Sequence, residues 1–322
     1  APLAKTLTEV YCTGSNSGYC SGNYSSRIKD VYIWNDGTTG VSTITISAGT
    51  VVLATRTIIF YGAAANVSAS ALKGIVSTAG GASTKAISVY VTDANKNPVL
   101  NAQGSIVGTS SDATVLSSFA AGAGSCAADA DTGAGYYTCS VTSVANVASG
   151  KTATLKITVQ SGTTVLATAS PVTYTTGGST IATITLTPSA DSYGPGEKVT
   201  LTLTAKDSSG NPVADGQYGV FLDSTSGAST YAGLTLSANT TTVPFAKAAA
   251  TPAATNGYTF LGGTSTSTFY APYTSGTVSM TGTLASTGSN LATALQGTAL
   301  TGSVTVANPT DAASQAAIDA DR

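Results

Sequence analysis

Apolar and hydroxylated residues alternate along much of the chain. Ile87, Val89 and Val91 are separated by Ser88 and Tyr90, and Leu201 and Leu203 by Thr202. A period of two puts one set of side chains on one face of a pleated strand, so both stretches predict strands with a single buried face. Each runs into a polar segment, residues 93–98 and 207–212, that reads as a turn: Asp and Asn side chains bond nearby backbone, and Pro presets φ. Elsewhere SAGT at 47–50 and QSGT at 160–163 read as tight hairpin turns between strands filled with Thr and Val.

The same blocks recur. Residues 87–99, ISVYVTDANKNPV, return at 201–213 as LTLTAKDSSGNPV, an offset of 114. Residues 44–54, ITISAGTVVLA, return at 157–167 as ITVQSGTTVLA, an offset of 113. Two independent blocks agreeing on a domain-sized period predict tandem copies of one unit. The period divides the chain into residues 1–62, the closing strands of a first domain, 63–177, a second domain, and 178–307, a third. The third copy of the closing block is spread over 276–306, which leaves extra residues around 237–268 for a long loop or an added hairpin. Nothing before Ala1 supplies a first-domain counterpart of residues 87–99, so that domain is expected to be completed by chain outside this segment or by strand addition from a neighbouring copy. Residues 308–322 change character: a Thr or Asp cap followed by an Ala-rich run predicts a helical tail or stalk.

Composition narrows the chemistry. Of 322 residues 42% are hydrophobic, enough for packed cores, yet only 9% are charged, against roughly 25% in ordinary soluble domains. Thirteen basic and fifteen acidic residues leave a net charge of −2, so no basic face is expected to meet nucleic acid or an anionic membrane. The most apolar stretch, residues 51–67, is interrupted by Arg56, Gly62 and Asn66, which argues against membrane insertion. The chain has no histidine, which removes His-dependent catalysis and most zinc or copper sites. Glu9 and Glu197 are the only glutamates and fall in different domains, so a glycosidase-type carboxylate pair would have to come from aspartates. Asp36, Asp93, Asp207 and Asp215 sit in turn contexts that explain them without catalysis, and no enzyme is expected.

Four cysteines form two close pairs, Cys12 with Cys20 and Cys126 with Cys139. Two local disulfides are the simplest reading and place the chain outside the cytoplasm; a four-thiolate zinc site is the alternative. Asp129 and Asp131 in the second cysteine loop, with Asp191 and Asp207 near the start of the third domain, are calcium candidates, because oxygen-rich turns suit that ion. Solvated turn carboxylates are the competing reading. Asn23, Asn66 and Asn239 fit the N-glycosylation sequon, and the Ser/Thr surface is open to O-linked sugar. Aromatics gather upstream of the closing strands (Tyr32 and Trp34, Tyr136 and Tyr137, Phe269, Tyr270 and Tyr273), where packing within a sandwich is favoured over a binding platform.

The two copies VTDANKNPV and AKDSSGNPV, each following an alternating strand, resemble the bacterial immunoglobulin-like repeats of invasin- and intimin-type surface proteins. DVYIWNDGTTGVSTITISAGT together with the tail NPTDAASQAAIDADR is similar to large surface proteins of actinobacteria. The resemblance implies an all-β fold of tandem immunoglobulin-like β-sandwich domains with a short C-terminal segment of helical character, on a secreted, cell-surface chain. It transfers no catalytic residue. The function expected is structural: assembly with copies of itself into a surface layer or filament. The alternative is an adhesin or a phage decoration protein whose domains present a loop to surface glycans.

Overall fold

The computed structural model describes residues 7–11, 29–33, 38–48, 50–221, 234–236, 242–243, 258–286 and 290–307. Cys12, Cys20, Asn23, Trp34, Asp36, Asn239 and the 308–322 tail lie outside them. Among the described residues strands carry nearly all regular structure, and no helix is long and apolar enough to cross a membrane.

The first unit contributes two antiparallel pairs. Strand β1 (Leu7–Tyr11) lies on β2 (Lys29–Ile33), and β3 (Gly40–Ala48) on β4 (Val51–Phe60). Strand β3 ends at Ala48 and β4 begins at Val51, so the hairpin falls where the sequence pattern places it.

The second unit holds β5 (Ala64–Ala71), β6 (Ile75–Ser77), β7 (Gly81–Asp93), β8 (Ile106–Ser110), β9 (Cys126–Ala128), β10 (Tyr136–Ser143), β11 (Thr152–Ser161), β12 (Thr164–Thr168) and β13 (Val172–Gly177). One sheet runs β5-β7-β10-β9. In the other, β8 flanks one edge of β11 and the broken strand β12–β13 the other, with β6 parallel to β13. The break falls at 169–171, where Pro171 cannot donate to a ladder. A four-stranded sheet facing one closed off by a short parallel strand is the immunoglobulin-like arrangement.

The third unit repeats it with β14 (Thr183–Pro188), β15 (Ser192–Tyr193), β16 (Lys198–Lys206), β17 (Gly216–Tyr218), β18 (Leu234–Leu236), β19 (Thr242–Val243), β20 (Tyr258–Phe260), β21 (Thr264–Tyr270), β22 (Gly276–Thr283) and β23 (Ala299–Val306). Sheet β14-β16-β21 faces sheet β15-β23-β22-β18-β19, and β15 is again parallel to its neighbour β23. Among the described residues the expected extra stretch, 237–268, holds β19, β20 and the start of β21; β19 pairs with β18 and β20 with β17.

Alternation sets the cores. Ile87, Val89 and Val91 on β7, and Val199, Leu201, Leu203 and Ala205 on β16, are fully buried. Burying each larger side chain is worth about 1.5–3 kcal/mol. One apolar cluster extends from Val76 to Tyr174 and a separate one from Ile181 to Val306, so each sandwich owns its core. Tyr137 lies inside the first, where its hydroxyl donates to Val99 O at 2.6 Å and accepts from Ala102 N–H at 2.9 Å. Those bonds satisfy a buried phenol whose ionisation burial pushes up.

Candidate functional site

The features that recur most faithfully lie where one unit meets the next. Strand β7 ends at Asp93, whose Oδ1 accepts the N–H groups of Asn95 and Asn97, both at 2.9 Å, while its own N–H donates to Asn97 O. Asp207, just past β16, repeats this: Oδ1 accepts from Ser209 N–H at 2.9 Å and Asn211 N–H at 3.1 Å, and its N–H donates to Asn211 O. One carboxylate oxygen therefore builds the turn in each copy. The other points out of it. Asp93 Oδ2 accepts from Gly62 N–H at 2.9 Å, and Asp207 Oδ2 from Gly178 N–H at 2.8 Å. Gly62 and Gly178 belong to the connectors that lead into the second and third sandwiches.

The preceding unit answers with a hydroxyl. Thr39 Oγ1 accepts from Asn95 Nδ2 at 2.6 Å. Ser149 Oγ donates to Asp207 Oδ2 and accepts from Asn211 Nδ2 at 3.1 Å. Thr39 and Ser149 each stand just before a glycine, Gly40 and Gly150, that has positive φ. At Gly150 φ is +84°, which strains any side chain, and a Cβ would push on Asn211 Nδ2, 2.8 Å away.

The junction between the second and third units carries a further clamp. Asp215 Oδ2 accepts from Gly74 N–H at 2.6 Å and Ile75 N–H at 3.0 Å, and its N–H donates to Ile75 O at 2.8 Å. Its Oδ1 accepts from Gly262 N–H at 2.7 Å. The repeat aligns Asp215 with the uncharged Asn101. Gly177 lets the chains close up, since a Cβ there would press on Pro212 O and lie 2.9 Å from Ala214 N. Beside this junction a cleft of about 250 Å³ is lined by Lys73, Ser77, Gly81, Thr84 and Asp215, with Lys73 Nζ donating to Thr84 O at 2.8 Å.

Burial works against the charge of both Asp93 and Asp207, which are only 2% and 4% exposed. Their hydrogen bonds outweigh it. Donors from Gly62, Asn97 and Asn95 hold the Asp93 carboxyl below the ordinary range, and Ser149, Gly178, Asn211 and Ser209 do the same for Asp207. Both residues are thus carboxylates at neutral pH; each fastens its turn to a connector, and Asp207 also holds the Ser149 hydroxyl of the preceding unit.

Cys126 and Cys139 are bonded, S–S 2.09 Å, as directly opposed residues of β9 and β10. The calcium candidates are dispersed. Asp129 accepts from Thr132 Oγ1 at 2.6 Å, the hydrogen bond that lowers its pKa; Asp131 and Asp191 are exposed; Asp207 has both oxygens committed to the junction. Among the described residues no three His, Cys, Asp or Glu side chains form a group able to hold a metal ion. Asn66 is exposed on β5 and donates to Asp93 O at 3.0 Å. Of the aromatics, Tyr137 is core, Tyr136 stacks on Tyr90 with ring centroids 4.3 Å apart, and Tyr270 and Tyr273 stand 72% and 85% exposed, unlike the packing expected for them. The sequence reading took Asp93, Asp207 and Asp215 for turn formers and missed their reach into neighbouring units. The available signal was the Gly177–Gly178 pair in the connector and an Asp placed identically in both copies.

The fold and junctions define a chain of immunoglobulin-like sandwiches. No protein-family model matches it, and no curated protein does. Among solved structures it is similar to the adhesin InvE of Yersinia pseudotuberculosis, with 17% identity over 74% of this chain and 58% of that one and a TM-score of 0.26. It is also similar to the Escherichia coli adhesin FdeC, with 16% identity over 95% of this chain and 88% of that one and a TM-score of 0.29. A third is a glycosyl hydrolase family 2 member from Bacteroides cellulosilyticus, with 13% identity over 69% of this chain and 23% of that one and a TM-score of 0.27. The chain spans less than two thirds of the InvE structure. These likenesses assign no role to any residue.

Proposed function

We propose that the chain is a structural segment of a secreted cell-surface protein, a stiff arm of sandwiches fastened end to end, with no catalytic role. The observation that carries this is that Asp93 with Gly62 and Asp207 with Gly178 form like clamps, and that a hydroxyl of the preceding unit reaches each turn, Thr39 at Asn95 and Ser149 at Asp207 and Asn211. Independent beads on a flexible string need no such anchoring, because interdomain motion is the default unless contacts oppose it. Small-angle scattering of the full chain tests the reading. A single extended conformation is expected for the natural sequence, and a broadened ensemble for Asp207→Ala combined with Asp215→Ala. An equally broad ensemble for both would reject the stiff arm.

A second reading, a binding arm of an adhesin or decoration protein, draws on exposed Tyr270 and Tyr273, since tyrosine supplies apolar area with a polar tip at recognition surfaces. Retention of the full chain on immobilised cell-wall polysaccharide, lost on Tyr270→Ser with Tyr273→Ser, would support it.

A further inference from the structure

Strand β7 outruns the strand that flanks it. Its neighbour β5 stops with Ala71 opposite Ile87, and the chain then leaves, with Leu72 and Lys73 both donating N–H to Ala86 O at 2.9 and 3.1 Å. On the other side β10 pairs back as far as Gly81, matching Val141 to Ser83 and Ser143 to Gly81. Ser140 N–H donates to Ser125 O and Thr142 O accepts from Ser117 N–H, so those two residues face away from β7, and Val141 and Ser143 face it. Gly81 and Ser83 therefore carry the ladder to β10, while Ala82 and Thr84 turn their N–H and C=O groups to the free edge. Both are exposed. Among the described residues no strand pairs with this edge; Lys73 Nζ reaches it, donating to Thr84 O at 2.8 Å. Ala82 N–H, Ala82 O and Thr84 N–H are left open to the cleft beside the second junction, whose walls include Lys73, Ala82, Thr84 and Asp215.

We propose that this cleft takes the C-terminal end of an extended peptide, added to β7 as a short parallel strand. Backbone donors and an acceptor spaced along one strand edge fit extended chain rather than a compact ligand. The direction follows from what closes the edge. Past Thr84 residues 72–73 fill the next position, so an added strand has its terminus there, beside the Lys73 ammonium. A parallel peptide brings its terminal carboxylate to that point; an antiparallel one would bring its N-terminal ammonium, cation against cation. In the parallel arrangement the last residue donates its N–H to Ala82 O, and its carboxylate accepts from Thr84 N–H and pairs with Lys73. The carbonyl two residues earlier accepts from Ala82 N–H. Asp215 lines the same cleft, but its oxygens already accept from the N–H groups of Gly74, Ile75 and Gly262, which offset its charge. The proposal does not depend on the arm's mechanical role, since it rests on the β7 edge and Lys73 alone.

The test passes the full chain over short peptides of randomised sequence, immobilised through their N-termini, and then titrates the retained sequences in solution as free acids and as C-terminal amides. A subset of the free acids is expected to bind, and amidation should weaken that binding roughly tenfold. Lys73→Met should weaken it by a similar factor, with an unchanged melting curve as the check that folding survives. Ala82→Pro should do the same, since an edge strand tolerates proline where the N–H faces outward. Retention of no free acid, equal binding of acid and amide, or a folded Lys73→Met chain that binds like the natural one overturns the proposal.

Discussion

Lys96 and Gly210 occupy the same step of the same turn, three residues past Asp93 and Asp207, and both adopt left-handed backbone, φ 63° and 79°. Glycine takes that conformation freely; lysine carries a Cβ that crowds the following carbonyl, at a cost of about 1–2 kcal/mol. Lys96 is exposed. Lys96→Gly is therefore expected to stabilise the second sandwich by about 1 kcal/mol, and Gly210→Lys to destabilise the third by a similar amount. Denaturant unfolding of each variant checks the pair of opposite signs.

Removing the Asp207 carboxylate leaves four donors, from Ser149, Gly178, Ser209 and Asn211, without their acceptor. Asp207→Ala should cost about 2–4 kcal/mol, because a buried donor stripped of its partner retains its desolvation penalty. Ser149→Ala removes one of the four and should cost about 1 kcal/mol. Hydrogen exchange at Gly178 should speed up in the first variant and much less in the second.

Acid should loosen the junctions before it unfolds the cores. The folded pKa values of Asp93 and Asp207 are depressed, so the stability they contribute is complete above the ordinary carboxylate value of about 3.9 and is lost as pH falls through the lower folded value. Exchange at Gly62 and Gly178 should rise below about pH 4, whereas core amides on β7 and β16 stay protected. Asp207→Asn should abolish this pH dependence at Gly178 and leave it at Gly62.

The Cys126–Cys139 bond ties β9 to the edge of its sheet and closes a loop that contains Asp129 and Asp131. Opening it should lower the melting point of the second sandwich, a loss of about 2–3 kcal/mol for so short a loop. Calorimetry with and without reductant, compared with Cys126→Ala/Cys139→Ala, measures it. The third sandwich has no cysteine, and its transition should not move.

Strand identity and the repeat were readable because alternation and turn chemistry are local: Ile87, Val89 and Val91 needed only their spacing, and the 93–98 turn only its Asp, Asn and Pro. The junction was not readable, because Gly62 lies 31 residues from Asp93 and Ser149 lies 58 from Asp207. No periodicity relates them. Val51, Val52 and Leu53 read as strand from their composition, but their exposure, 61%, 58% and 64%, was not legible in it. For Tyr270 and Tyr273 proximity to a closing strand suggested packing, yet Tyr270 at the end of β21 and Tyr273 in the loop after it both lie outside the core.

Parallel pairing of β6 with β13, and of β15 with β23, has a mechanical meaning. Tension along the arm enters a sandwich near its first strands and leaves through its last. Where those strands lie side by side and run the same way, the load falls on their hydrogen bonds in shear, so that several must break together. An antiparallel closure loaded at one end would unzip one bond at a time. Each sandwich is thus laced shut across the direction in which a surface arm is pulled, and its yield force should exceed what its equilibrium stability alone would suggest.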